Sequence, residues 1–344
     1  MVLAVLENNE KMKIIIPMAG RGSRLRPHTL TVPKPLIPVA GKPIVQRLVE
    51  DIVSVCNKEV DEIAFIIGDF GEEVELKLKK IAKKLGAKPS IYYQKSPLGT
   101  AHAILCAKNS LSGNCVVAFA DTLFKADFTL ESDQEGVIWV SQIEDPSSFG
   151  VVKLNDQKII TDFVEKPEKF VSDLAIIGIY YFKDGKYLRD ELQFLIENNI
   201  KDKGEYQLTN ALENMKNKGV VFKPGKVDEW LDCGNKNSTV FTNGRVLEST
   251  GNISHKSARI INSKIIEPCY IGENTVIKNS ILGPHVSVGE NTTIESSQIQ
   301  SSIIQTDTKI INAKLEESMI GNKVSFDGKN ILQKVSIGDF CEVR

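Results

Sequence analysis

Apolar and polar positions follow two different periods along the first two thirds of the chain, and each change of period marks an element. KIII at 13–16 is a short apolar run ended by Pro17, the pattern of a buried strand leaving its sheet, and AGRGSRLRP at 19–27 is the Gly-rich loop that follows. Pro43 opens a helix over 43–56, with Ile44, Leu48, Ile52 and Val55 at helical spacing. EIAFIIG at 62–68 and IYYQ at 91–94 read as strands on either side of a helix over 72–86 that ends at Gly86. A helix over 99–109 leads into CVVAFAD at 115–121, a buried strand with Asp121 at its carboxyl end. Strands over 136–143, 149–154, 158–165 and 175–182 and helices over 184–198 and 206–218 continue the series. This alternation predicts an α/β fold with a mostly parallel sheet covered on both faces. Ligands gather at the carboxyl ends of such strands, where Gly20, Gln94 and Asp121 fall.

The pattern changes after about residue 250. Helical periodicity stops, and aliphatic residues recur every five or six positions: Ile260, Ile265, Ile271, Ile277, Leu282, Val288, Ile294, Ile299, Ile304, Ile310, Leu315 and Ile320. Gly, Asn and Ser lie between them, as in YIGENTVI at 270–277. A repeat of about six residues with one apolar anchor predicts a parallel β-helix, whose short strands wrap a prism and stack their anchors inside. A small β-sandwich is the alternative, and the number of turns that keep register argues against it.

Composition changes the picture in three places. The length of 344 residues suggests two or three domains, and 42% hydrophobic with 25% charged residues is the make-up of a soluble globular protein. With 43 basic and 44 acidic residues the net charge is -1, which excludes a general electrostatic footprint for nucleic acid or membrane, so any phosphate site must be local. No apolar run reaches the roughly 20 residues that span a bilayer. VLAVL at 2–6 lacks the flanks of a signal peptide, so a cytoplasmic location is expected. Six scattered cysteines without a CxxC pair, and only four histidines, point to buried free thiols rather than zinc or a disulfide framework.

Candidate chemistry starts in the loop AGRGSRL at 19–25. Backbone N–H groups of Ala19, Gly20, Arg21, Gly22 and Ser23 can cradle a polyphosphate while Arg21, Arg24 and Arg26 neutralise it. As a dinucleotide fingerprint the loop lacks its third glycine, and no Gly-Lys-Ser/Thr follows, which excludes a Walker loop. Glycines and arginines alone also suit an ordinary turn. Lys34 is held between Pro33 and Pro35, which restrict the backbone, so its ammonium can be aimed at a phosphate at small ordering cost.

The glycine-rich loop with its Arg, followed by HTLTVPKPLIPVAGKPIV at 28–45, resembles the signature of the sugar-1-phosphate nucleotidyltransferases. Further matches follow in the family's order: QKSPLGTAHAI at 94–104, FADT at 119–122, FGVVKL at 149–154, TDFVEKP at 161–167, IIGIYYF at 176–182 and EWLDCGN at 229–235. By that resemblance Gln94 reads the edge of a nucleobase, Gly99 approaches its ring, and Thr100 belongs to the same nucleotide segment. Gly150, Glu165 and Gly178 would hold the sugar, Lys166 the phosphate of the sugar 1-phosphate, and Asp121 and Asp232 a Mg2+ ion. Arg24, Lys34 and Lys166 would be the catalytic residues. KGEYQLTNAL at 203–212 departs from the thymidylyltransferase pattern, since Lys203 stands where an Arg often precedes the Gly-Glu pair. Lysine carries charge but no bidentate fork.

The resemblance covers nearly the whole chain and implies a Rossmann-like nucleotidyltransferase domain over 12–248, a left-handed β-helix of hexapeptide-type repeats over 249–344, and an extension over 1–11. The order of domains is similar to the long forms of glucose-1-phosphate thymidylyltransferase. It implies transfer from a nucleoside triphosphate, dTTP by overall resemblance, to a sugar 1-phosphate, glucose 1-phosphate by the same resemblance, with release of pyrophosphate. The β-helix is expected to assemble subunits into a homo-oligomer, and a fragment ending near residue 248 to keep activity. Alternatives are a UTP-using or other pyrophosphorylase, a bifunctional uridylyltransferase-acetyltransferase, a non-enzymatic sensor and a nicotinamide dehydrogenase. The acetyltransferase needs a base in the β-helix, where His255 and His285 are the available histidines, both in turn-like contexts.

Overall fold

Three successive isoleucines, Ile14, Ile15 and Ile16, are each 0% exposed in the computed structural model, which describes residues 11–56, 58–126 and 134–344. A strand can bury every residue only where both of its faces are covered. The strand Met12–Pro17 is accordingly central in a nine-stranded sheet. Its parallel part runs Cys115–Ala118, Met12–Pro17, Val60–Ile67, Lys88–Tyr93, side by side in that order. Antiparallel strands Leu174–Phe182, Gly150–Leu154 and Ile160–Glu165 extend it on the other side of Cys115–Ala118. Gly136–Gln142 pairs with Leu174–Phe182 and, in parallel, with Phe222–Lys226.

α1 (Ile44–Val55) starts one residue later than expected, because Pro43 is taken by a two-residue strand, Lys42–Pro43, paired with Pro38–Val39. α2 (Glu72–Lys84) has Glu72, Glu73 and Glu75 in its first turn and Lys83 and Lys84 in its last, the charge order that the helix dipole favours. Ile15, Ile66 and Val117 share a core with Ile104 of α3 (Thr100–Cys106), Leu188 of α4 (Gly185–Glu197) and Leu212 of α5 (Leu208–Asn217). The strand expected over 115–121 ends at Ala118. There the Phe119 N–H leaves the parallel ladder and donates to the Gly178 carbonyl at 2.9 Å, which places Asp121 in a turn before Thr122–Lys125.

By its internal contacts the chain divides into two compact units. One runs to Gly20 and resumes over Leu48–Trp230; the other is Arg21–Arg47 with Leu231–Arg344. The first holds the nine-stranded sheet. The second holds α6 (Lys236–Thr250), a helix with no apolar stripe to announce it, since Thr239, Thr242 and Asn243 are its fully buried residues along with aliphatics. Asn235 caps it by accepting from the Asn237 and Ser238 N–H groups.

Residues beyond α6 form the left-handed β-helix, three stacked parallel sheets of six, six and five strands. Ile277, Ile294, Ile310 and Phe326 form one internal column. Anchors from Ile271 to Ile320 are 2% exposed or less, whereas Ile260 in the first coil is 43% exposed and Ile265 is half-buried. Hydroxyls at the corners tie coil to coil: Ser280 Oγ accepts from the Ser297 N–H at 3.0 Å across 17 residues, and Thr292 Oγ1 from the Thr308 N–H across 16. Asn274, Asn279, Asn291 and Asn312 turn the corners with positive φ, which explains the asparagines between anchors.

Among the described residues no helix is long and apolar enough to cross a membrane. All six cysteines are free; Cys115, Cys233 and Cys269 are buried as expected, Cys56 and Cys106 are half-buried, and Cys341 is exposed on the last coil. VLAVL and the extension as far as residue 10 lie outside the described residues.

Candidate active site

In the first unit the carboxyl ends of three parallel strands carry candidate residues. Ala19 and Gly20 follow Met12–Pro17, Gln94 follows Lys88–Tyr93, and Asp121 follows Cys115–Ala118 by one turn. The Asp121 turn is fixed against the strand Leu174–Phe182 twice, by the Phe119 bond to Gly178 and by Thr122 Oγ1 donating to the Ile177 carbonyl at 2.8 Å. Gly178 has φ +85° at a break in the register of that strand, so its backbone can bulge toward the turn.

Gln94 is held at both ends. Its backbone N–H donates to the Ile67 carbonyl at 2.9 Å, and Nε2 donates to the Gly99 carbonyl at 3.2 Å and reaches His102 Nδ1 at 3.1 Å. Burial lowers the His102 pKa, which favours the neutral ring whose Nδ1 can accept. Gly99 has φ +115°, and a Cβ there would lie 2.4 Å from the Tyr206 carbonyl oxygen, so the fold itself requires glycine at this position. Thr100 Oγ1 donates to Gln207 Oε1 at 3.1 Å and accepts from the Leu208 N–H at 2.9 Å. The loop 98–100 is thus locked onto the segment 206–208, a contact that sequence reading did not anticipate.

A second group in the same unit lies where Gly150 pairs with Glu165 across antiparallel strands. Glu165 Oε2 accepts from Thr209 Oγ1 at 3.3 Å, and a Cβ on Gly150 would come within 3.2 Å of that carboxylate oxygen. Lys166 Nζ stands 3.7 Å from Glu165 Oε1, with the lysine side chain 52% exposed. Lys166 has positive φ and its backbone is held on both sides, its N–H donating to the Phe149 carbonyl at 3.1 Å and its carbonyl accepting from Lys203 Nζ at 2.7 Å. Lys203, in the place of the expected Arg, therefore serves the backbone of Lys166.

Tyr180 links the two groups. Its phenol is buried, and its pKa is raised by that burial and then by the charges of Glu165 and Asp121. Thr209 and Tyr180 both lie in motif segments, KGEYQLTNAL and IIGIYYF, but a single Thr or Tyr in a strand or helix carries no signal of its own in the sequence.

The second unit holds Arg21, Gly22, Ser23, Arg24, Lys34 and Asp232. Gly22 has φ +61° and precedes a 3-10 turn, Ser23–Leu25, that buries Leu25 and leaves Arg24 exposed. Thr29 Oγ1 closes the loop by donating to the Gly22 carbonyl at 2.8 Å. Lys34 opens a second 3-10 turn behind Pro33 and is 8% exposed, with its Cβ 2.8 Å from where a Gly22 Cβ would stand. The Asp232 Oδ1 accepts from the Gly234 N–H at 3.0 Å, and a Cβ on Gly234 would sit 2.9 Å from that oxygen. Glycine there leaves the carboxylate uncovered, which suits a hard cation that binds oxygen and keeps several waters. His285 pairs with Glu248 of α6 at 3.2 Å, and His255 makes a local contact with Ser257 at 2.8 Å.

Residues 13–249 match the nucleotidyl transferase family, and the chain belongs to it. It is 30% identical to a glucose-1-phosphate thymidylyltransferase of Streptomyces antibioticus over 91% of this chain and 93% of that one. It is 31% identical to a bifunctional protein GlmU of Methanococcus maripaludis, over 95% of this chain and 82% of that one. A crystal structure of UDP-glucose pyrophosphorylase complexed with UDP-glucose shares the fold with a TM-score of 0.56 and 23% identity, over 70% of this chain and 99% of that one.

Proposed function

We propose that this protein joins a nucleoside triphosphate to a sugar 1-phosphate and releases pyrophosphate, with dTTP and glucose 1-phosphate as its substrates. The observation that carries the reading is the order of strand-end residues on one family-matched sheet, Ala19-Gly20, Gln94 and Asp121, beside the Gly150–Glu165 pair. The match over 13–249 supports placing the catalytic segment at 12–248 and the β-helix at 249–344.

The reaction needs no protein nucleophile. A phosphate oxygen of the sugar 1-phosphate attacks the α-phosphorus in line, and the bond to the bridging oxygen breaks as pyrophosphate leaves. The protein aligns the two substrates and neutralises charge. Backbone N–H groups of Ala19, Gly20, Arg21, Gly22 and Ser23, with Arg24 and Lys34, serve the triphosphate. Gln94 reads the base, with Gly99 and Thr100 shaping its loop. With Nε2 directed at Gly99 and His102, Oε1 is the atom suited to accept from the N3–H of thymine or uracil. Gly150, Glu165 and Gly178 hold the sugar, and Lys166 aligns its phosphate. Asp121 and Asp232 would hold Mg2+, which supplies positive charge to phosphate oxygens.

Lys166→Ala should raise KM for the sugar 1-phosphate on the order of tenfold or more while KM for the triphosphate stays nearly constant, since only one substrate loses a charge-assisted contact. Equal rises for both substrates would assign Lys166 a structural role instead. Initial rates across a matrix of triphosphates and sugar phosphates test the choice of substrates, with dTTP and glucose 1-phosphate expected to be fastest. The GlmU similarity favours one second reading, an added acetyl transfer, which binding of acetyl-CoA to the whole protein would reveal. Self-association through the β-helix is part of the proposal, supported by exposed Ile331, Leu332 and Phe340 on its last coil.

A further inference from the structure

The segment Arg21–Arg47 carries the phosphate loop from Arg21 onward and Lys34, and it is built into the same compact unit as the β-helix. It touches the β-helix at two places on either side of Lys34. At the first, His28 Nε2 lies 3.1 Å from Ser336 Oγ, Thr31 Oγ1 donates to Asp339 Oδ2, and Pro27 packs so closely on Gly338 that a Cβ there would be 2.9 Å from its own Cβ. At the second, Gly41 lies against the Tyr270 ring, where a Cβ would be 2.2 Å from the nearest carbon, and the Ala40 N–H donates at 2.9 Å to Oδ1 of Asn243 in α6, to which the β-helix residue Ser287 also donates through Oγ at 2.7 Å.

The first contact is not a chance meeting of surfaces. Asp339 is itself held, with Oδ1 accepting from the Asn322 N–H at 2.7 Å and Oδ2 from Asn322 Nδ2 at 3.1 Å. Asn322 in turn donates to Gln305 Oε1 at 2.9 Å and accepts from Thr306 Oγ1 at 2.8 Å. A ladder of polar side chains thus climbs coil by coil through the last three coils of the β-helix and ends on Thr31. His28 is 0% exposed and burial lowers its pKa to about 4, against a raising effect of Asp339 and a lowering one of Lys236, so the ring is neutral at physiological pH. A hydrogen bond accepted by a carboxylate is stronger than a neutral one, and a preorganised site loses less on ligand binding.

We infer that the last coils of the β-helix position the phosphate loop, with Asp339 and Ser336 as positioning residues that act through Thr31 and His28. The inference deepens the proposed function and rests on it for the identity of the ligand. It qualifies the expectation that a fragment ending near residue 248 keeps measurable activity, because such a fragment lacks the seat of its own triphosphate segment.

The test uses the full chain. Thr31→Val removes the bond from the exposed loop side and leaves the β-helix ladder untouched, Asp339→Ala removes it from the other side, and Ser336→Ala provides a milder variant. Each of the first two should raise KM for the triphosphate by on the order of fivefold to tenfold, leave KM for the sugar 1-phosphate unchanged, and give a double variant no worse than the worse single one. Hydrogen exchange without substrate should show faster deuterium uptake over 21–34 in both variants, with uptake over 276–300 unaltered. Unchanged uptake and unchanged KM values, or strictly additive effects, would overturn the inference. Faster uptake over 21–34 in a protein that transfers no nucleotide would uphold the anchoring and reject the proposed function.

Discussion

Asp121→Asn and Asp232→Asn are each expected to lower turnover by at least about 10²-fold with the fold intact, the scale on which one electrostatic stabiliser is felt in an active site. The substitution keeps shape and removes charge. At position 121 the turn is secured by the backbone of Phe119 and the hydroxyl of Thr122, so loss of the carboxylate charge does not release it. At position 232 the amide oxygen can still accept from the Gly234 N–H, which now stands 3.0 Å from Oδ1. Unaltered thermal unfolding with lost turnover separates chemistry from folding. Near-normal turnover in either variant removes that residue from the proposed metal site.

Two glycines of one loop should behave in opposite ways. A Cβ on Gly20 meets nothing within 4 Å, whereas one on Gly22 would stand 2.8 Å from Lys34 Cβ at a backbone φ of +61°. The left-handed conformation costs a side-chain-bearing residue about 1–2 kcal/mol. Gly22→Ala must also push the buried Lys34 stem, and with it the ammonium proposed to meet a phosphate. It is expected to raise KM for the triphosphate and to reduce kcat, together lowering kcat/KM by about 10²-fold, since small misplacements of positioning groups are felt at that level. The protein fold tolerates Gly20→Ala, so any loss of triphosphate affinity in that variant reports close approach of the ligand itself. Melting curves and steady-state kinetics of both variants check the contrast. Equal kinetics for Gly22→Ala and the parent would separate the loop from the nucleotide.

The parts of this fold that could be read from sequence are those whose burial is written locally. Ile14, Ile15 and Ile16 announce a strand covered on both faces, and anchors from Ile271 to Ile320 announce the β-helix because each is buried by the coils above and below it. Ile260 breaks the rule for a physical reason: its strand begins its sheet and pairs with Val276–Lys278 alone. α6 was not legible, because it packs through Thr239, Thr242 and Asn243, whose burial depends on hydrogen bonds such as that of Thr242 to the Asp232 carbonyl. The candidate site was legible as motifs and illegible as contacts. Lys203 stood out as a substitution for Arg, but only the fold shows its ammonium on the Lys166 carbonyl. Thr31 and Asp339 are 308 residues apart, and nothing near either one in sequence foretells their meeting.

Nucleotidyl transfer is decided by measuring the pyrophosphate that the whole protein releases from dTTP in Mg2+ buffer, with and without glucose 1-phosphate, alongside the nucleotide sugar formed. One pyrophosphate is expected for each nucleotide sugar, and none when the sugar phosphate is left out. Pyrophosphate released at the same rate without a sugar phosphate, or none released with any pair of triphosphate and sugar phosphate, would contradict it.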